Sequence, residues 1–151
     1  MADFDKQTRY VKYSSFNVGH ETSKYKVTLS GYSGNIENTD QFCVGFVADC
    51  FTAVDGGIND MMFSTKDNRN DISSEDCANK YRAGWWYSNC HCANPNGQYL
   101  DGYNTQGGVG ITYERWLGQW YALKSTQFMV KQITKPTQTS ETKKAALPAY
   151  D

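Results

Sequence analysis

The chain has 151 residues, enough for one domain with a sizeable core. A net charge of −1 gives no basic footprint for nucleic acid, and no apolar run approaches the roughly 20 residues that cross a bilayer. Aromatic residues make up 15% of the chain, with 11 Tyr and 4 Trp, against a mean hydropathy of −0.68, which suits rings placed at a surface that recognises polar ligands.

In chain order, residues 1–18 mix Tyr10, Val11, Tyr13, Phe16 and Val18 with charges and read as a strand or extended segment. Met1 is followed by Ala2-Asp3-Phe4-Asp5, without the basic start and apolar core of a secretion signal. Residues 24–29 alternate, with Tyr25, Val27 and Leu29 on one face and Lys24, Lys26 and Thr28 on the other, the pattern of a half-buried strand. Gly31 and Ser33-Gly34-Asn35 are expected to end it. Residues 36–58 carry Cys43 and Cys50 and the turn signal Asp55-Gly56-Gly57.

Residues 63–102 are the densest stretch. They gather the oxygen-bearing Asp67, Asn68, Asn70 and Asp71, three of the cysteines, the block Trp85-Trp86-Tyr87 and His91. Such a segment reads as a loop-built binding site pinned by cross-links and backed by a hard cation such as calcium. Residues 102–110 are glycine-rich loop, Trp116, Trp120, Tyr121 and Leu123 are expected in the core, and residues 127–133 alternate as a closing strand. Residues 134–151 are poor in large apolar groups and hold two of the three prolines, so a flexible tail is expected after a domain of residues 1–133.

The residue patterns exclude several chemistries. Asp67-Asn68-Arg69-Asn70-Asp71 fails as an EF-hand loop, because Ile72 stands where Gly is needed and Ala78 is the twelfth residue. In an extended segment Cys90 and Cys92 point away from His91, so the three do not converge on zinc. The same geometry parts Cys90 from His91 as a nucleophile and base, and there is no Gly-x-Ser-x-Gly or paired-carboxylate arrangement. The five cysteines, Cys43, Cys50, Cys77, Cys90 and Cys92, are odd in number and leave at least one unpaired within the chain. Cys43 with Cys50 would close a small local loop, with Cys92 as the spare thiol.

The chain resembles the C-terminal half of a fibrinogen-like domain, the module of fibrinogen, ficolins, tachylectins, tenascins and angiopoietins. The resemblance rests on Phe63-Ser64-Thr65-Lys66-Asp67, Asn70-Asp71, Cys77-Ala78, Gly84-Trp85-Trp86-Tyr87, Asn89-Cys90-His91 and Asn96-Gly97-Gln98-Tyr99-Leu100. It extends back to Tyr13-Ser14-Ser15-Phe16 and residues 24–29, and forward to Lys131, with the ficolin and tachylectin branch nearest. It implies an α+β fold: a small, mainly antiparallel sheet, short helices and long loops pinned by a Cys77–Cys90 disulfide, worth about 3 kcal/mol by chain entropy. The complete module has a further N-terminal subdomain with its own disulfide and a Gly-Gly-Gly-Trp type motif. Neither is visible here.

The same resemblance implies two sites. In the family's calcium loop two aspartates lie eight and six residues before the first cysteine, with carbonyl ligands after them. Here the second is Asp71 and the carbonyls belong to Ser73 and Glu75, but the first is Arg69, a guanidinium that cannot ligate calcium and would pair with Asp71 or Asp67. Calcium is therefore the expected cofactor only if Asp67 or Asn70 moves in; otherwise an Arg–Asp pair holds the loop. In acetyl-binding members a cis peptide before the second cysteine aims backbone N–H groups at the ligand, which places the pocket at Tyr81, Asn89, Cys90 and His91. A third aromatic wall, 17 residues past Cys90, falls on Gly107.

The implied function is a secreted, non-enzymatic, lectin-like module for acetylated carbohydrates on microbial or cell surfaces, of innate-immune type. It would act with glycan partners and as an oligomer, Cys92 being available to link chains. The alternatives are a protein-interaction module of angiopoietin or fibrinogen type, which Arg69 and Gly107 favour, and a truncated copy without independent activity.

Overall fold

The computed structural model describes residues 1–36 and 49–132. Strand β1 (Val11–Val18) pairs antiparallel with β2 (Val27–Gly34), in a register running from Val11 opposite Gly34 to Val18 opposite Val27. Helix α1 (Cys77–Lys80) is a single turn. It is followed by β3 (Ala93–Asn94), β4 (Gly102–Tyr103), β5 (Thr112–Tyr113), the one-turn helix α2 (Glu114–Leu117) and β6 (Tyr121–Ala122). β3 pairs with β5 and β4 with β6, both antiparallel, and an isolated parallel bridge joins Gln98 to Gly110. The α+β class with short elements and long loops is as expected.

Val27 and Leu29 point inward as the alternation predicts. Tyr25 does not: its φ of 54° turns the chain before the strand begins, and the ring is exposed. The strand also continues through Gly31 to Gly34, because the ladder to β1 supplies partners for its backbone where the side chains stop alternating.

Around Phe51 the core is aromatic. Its ring stacks on Tyr13 at 5.6 Å, meets Trp85 edge-on at 5.7 Å and lies 6.2 Å from both Tyr113 and Phe128. Edge-on and offset ring pairs contribute about 0.5–1.5 kcal/mol each beyond the area they bury. Asp49 ties the start of this segment down. The carboxylate is buried and accepts hydrogen bonds from the amides of Phe51 and Thr52 and from the hydroxyls of Tyr13 and Thr52. Burial and the bond to Asp49 together raise the pKa of Tyr13, so the hydroxyl stays a donor.

Cys77 and Cys90 are bonded, as the resemblance implies. The second disulfide corrects the local pairing: Cys50 is bonded to Cys92, with Cα atoms 5.1 Å apart, across 42 residues of sequence. The anchored Asp49 and the bond from the Cys50 amide to the Tyr113 hydroxyl (2.9 Å) carry Cys50 to the start of β3. Cys92 is thus neither a spare thiol nor available to link chains, and Cys43 lies outside the described residues.

Two further expectations are corrected. Trp120 is not core: the next two residues, Tyr121 and Ala122, turn inward as β6, and Trp120 is left 59% exposed. Residues 127–132 form no strand. Phe128 stacks on Phe51, but Met129 and Val130 are exposed and no described segment pairs with them. Ile133 and the expected tail, 134–151, lie outside the described residues.

Candidate recognition site

Both cross-links converge on residues 90–92. Asp76 caps α1 by accepting from the Asn79 amide (3.1 Å), which sets Cys77 at the helix start and Tyr81 at its end, where the Tyr81 amide bonds the Cys77 carbonyl (2.9 Å). On the other side, the turn after Cys50 brings the Gly56 carbonyl to the Cys92 amide at 2.9 Å. Only glycine fits there. Gly56 has φ +70°, and a Cβ would stand 2.4 Å from the Cys92 nitrogen and the His91 carbonyl carbon.

Between these anchors lie the residues expected to line a pocket. The Asn89–Cys90 peptide bond is cis; Asn89 is exposed and Cys90 half-buried. His91 is 4% exposed. The ring of Tyr81 stands edge-on to it with centroids 4.4 Å apart, and Tyr87 lies 5.9 Å away. Burial pushes the pKa of His91 down to about 4, against a weaker opposing effect of the Gly108 backbone, so the imidazole is neutral at physiological pH. Apart from that approach to the Gly108 backbone, neither ring nitrogen has a hydrogen-bond partner among the described residues. Tyr81 and His91 are thus in direct ring contact, and Asn89 and Cys90 precede His91 in the chain through the cis bond.

Gly107, where the resemblance places a third wall, is not left uncovered. The indole of Trp120 lies flat over Gly107, with three ring atoms 3.0–3.1 Å from where a Cβ would be. Gly108 is pressed between Tyr81 and Gln119, and its amide donates to the Gln119 carbonyl at 2.7 Å. The Gln119 side chain bonds the His91 carbonyl (3.3 Å) and the Glu114 carboxylate (2.9 Å). Gln119 and Trp120 were missed because tryptophan near the end of a chain reads as core. The paired glycines 107–108 were the available signal, since two residues without Cβ let neighbouring rings lie against the backbone.

The acidic loop is arranged differently from a calcium site. Asp71, its side chain fully buried, accepts through Oδ1 from Arg69 Nε (3.2 Å) and the Ser73 amide (3.2 Å) and through Oδ2 from the Cys77 amide (3.4 Å), and Oδ1 is ion-paired with Arg69 Nη2 at 3.2 Å. Arg69 Nη2 also donates to the Ser73 carbonyl. Glu75 pairs by its side chain with Lys80, Asp67 accepts from the Thr65 hydroxyl at 2.6 Å, and the Asn70 amide group donates to the Phe63 carbonyl at 2.8 Å. The Asp67 and Asn70 side chains thus bond Thr65, Phe63 and Asn68 rather than Asp71. Among the described residues no three His, Cys, Asp or Glu side chains converge on a common point. The oxygens of Asp71 and Ser73 that a calcium ion would need are already engaged by Arg69, and the loop as built does not fit the ion.

Short antiparallel pairs, one-turn helices and long loops cross-linked behind a cis peptide define a fibrinogen-like globular domain. The family model for the C-terminal globular domain of fibrinogen beta and gamma chains matches residues 1–133, and the chain belongs to that family. It is 36% identical over 138 residues to fibrinogen C domain-containing protein 1 of Macaca fascicularis, covering 88% of this chain and 28% of that protein. To fibrinogen-like protein 1 of Rattus norvegicus it is 35% identical, over 87% of this chain and 41% of that one. Among solved structures it is similar to the fibrinogen-like globe domain of human ANGPTL2, with TM-score 0.68 and 30% identity over 82% of this chain and 51% of that one. It is also similar to the lamprey fibrin D-dimer complexed with the peptide Gly-His-Arg-Pro-amide, with TM-score 0.67 and 25% identity over 92% and 48%. The chain thus spans well under half of these curated relatives and about half of these solved chains.

Proposed function

We propose that this chain is an extracellular recognition module that binds acetylated glycans on microbial or cell surfaces at the Tyr81–His91 cradle. The observation that carries the reading is the neutral His91 ring, buried beneath Tyr81 with no side chain bonded to either nitrogen. A neutral imidazole offers one donor and one acceptor, and leaving buried groups of this kind unpaired costs about 1–3 kcal/mol each. An acetamido group carries the matching carbonyl and N–H, no charge, and a methyl that Tyr81 can cover. Ligand entry requires the half-buried Tyr81 ring to swing off His91. Trp120, flat over Gly107, supports a sugar ring beside it. Two disulfides suit an oxidising, extracellular setting. Binding rather than catalysis follows from the chemistry: Cys90 is held in a disulfide and offers no thiolate.

A second reading, recognition of a protein or peptide partner, is favoured by the exposed rings of Tyr99, Tyr103 and Trp120 and by the similarity to a fibrin domain whose structure holds a peptide ligand. Chromatography on N-acetylated resin separates the two. A glycan-binding domain is retained and released by free N-acetylglucosamine, whereas a domain that recognises only protein flows through.

A further inference from the structure

We propose that Arg69 is a built-in cation that replaces the metal ion of the acidic loop, so that this recognition domain is ordered without calcium. One guanidinium reaches two of the oxygen positions the resemblance assigns to the ion, the Asp71 carboxylate through Nε and Nη2 and the Ser73 carbonyl through Nη2. Its planar fork suits that geometry, and its charge does not depend on pH. Asp71 is already engaged: Oδ1 accepts from Arg69 Nε and the Ser73 amide and pairs with Arg69 Nη2, Oδ2 accepts from the Cys77 amide, and its side chain is shielded from solvent. A calcium ion needs six to eight oxygens at about 2.3–2.6 Å and would have to displace the guanidinium and overcome its repulsion.

The loop is coupled to the site by a short path. Asp71 Oδ2 accepts from the Cys77 amide at 3.4 Å, Cys77 is bonded to Cys90, and Cys90 precedes His91. The charge that fixes the loop therefore also fixes the cross-link behind the cradle. Supplied by a side chain, it is present at any calcium concentration, so the geometry at Cys90 and His91 does not respond to calcium or to a chelator. This inference rests on the loop itself and stands whether the cradle takes a glycan or a peptide.

The test is thermal unfolding and calcium titration of the oxidised protein and of R69D, with no ligand for the cradle present. Wild type is expected to unfold at the same temperature in millimolar calcium and in EDTA, and to show no saturable calcium binding. R69D is expected to unfold several degrees lower in EDTA and to regain that loss in calcium, with a saturable titration. A calcium-dependent rise in wild type, or an R69D that folds but gains no calcium response, overturns the proposal. If R69D does not fold, R69Q keeps a donor without the charge and is expected to melt below wild type in EDTA; an R69Q as stable as wild type overturns the proposal equally.

Discussion

Tyr81 stands edge-on to His91 with ring centroids 4.4 Å apart, and the two residues are delivered by different cross-links. Tyr81 follows the helix that begins at Cys77, whereas His91 sits between Cys90 and Cys92, whose disulfides run to Cys77 and Cys50. The contact is therefore set by covalent framing on both sides.

That framing makes the two disulfides unequal. Closing the 42-residue separation between Cys50 and Cys92 stabilises the fold by about 4 kcal/mol in the chain-entropy model, against about 3 kcal/mol for the 13-residue separation of Cys77 and Cys90. The double variant C50S/C92S is expected to lose the larger amount. Urea unfolding of the two serine pairs, compared with wild type, measures the difference.

Burial of His91 gives the domain an acid weakness. Its pKa is about 4 in the folded chain against about 6.5 unfolded, so between those values the unfolded state binds the extra proton. The contribution is complete above about pH 6.5 and falls by roughly 3 kcal/mol as pH drops to about 4. Asp67 and Asp76, whose pKa values are lowered by hydrogen bonds from Thr65 and Asn79, are common to both proteins if wild type is compared with H91N. The fall in unfolding free energy between about pH 6.5 and about pH 4 is expected to be smaller for H91N than for wild type.

Gly56 is the tightest packing point behind the cradle. In G56A the added Cβ collides with the His91–Cys92 backbone at a φ of +70°, and a loss of about 2–4 kcal/mol is expected from overpacking and backbone strain together. Denaturant unfolding reads the loss, and near-ultraviolet circular dichroism is expected to report disturbed packing around Tyr81 and Tyr87.

Trp120 separates a binding role from a structural one. The residue is 59% exposed, so W120A is expected to change stability by less than about 1 kcal/mol. Affinity for an acetylated sugar is expected to fall by roughly tenfold, the equivalent of one lost ring contact. Parallel unfolding and binding measurements on this variant show which of the two changes.

Legibility in the sequence followed distance along the chain. The inward Val27 and Leu29 were readable because β alternation is local, and the loop motifs around Cys77 and His91 because each is a short run with its own chemistry. The Cys50–Cys92 bond was not readable. It depends on Asp49 being caged by Tyr13 and Thr52 and on Tyr113 receiving the Cys50 amide, contacts that no spacing encodes. The alternation in residues 127–132 misled, because a pattern becomes a strand only where a neighbour offers a ladder. Trp120 misled in the opposite direction: its ring covers Gly107, and that role is visible only once β6 has turned its neighbours inward. Arg69 was legible as a departure from the calcium pattern; that it spans both Asp71 and Ser73 was not.

Recognition at the Tyr81–His91 cradle is tested most directly by calorimetric titration of the oxidised protein with N-acetylglucosamine, alongside H91A of unchanged circular dichroism. The account predicts saturable heat for wild type and a loss of affinity for H91A. No heat with wild type, or equal affinity in the two proteins, would contradict it.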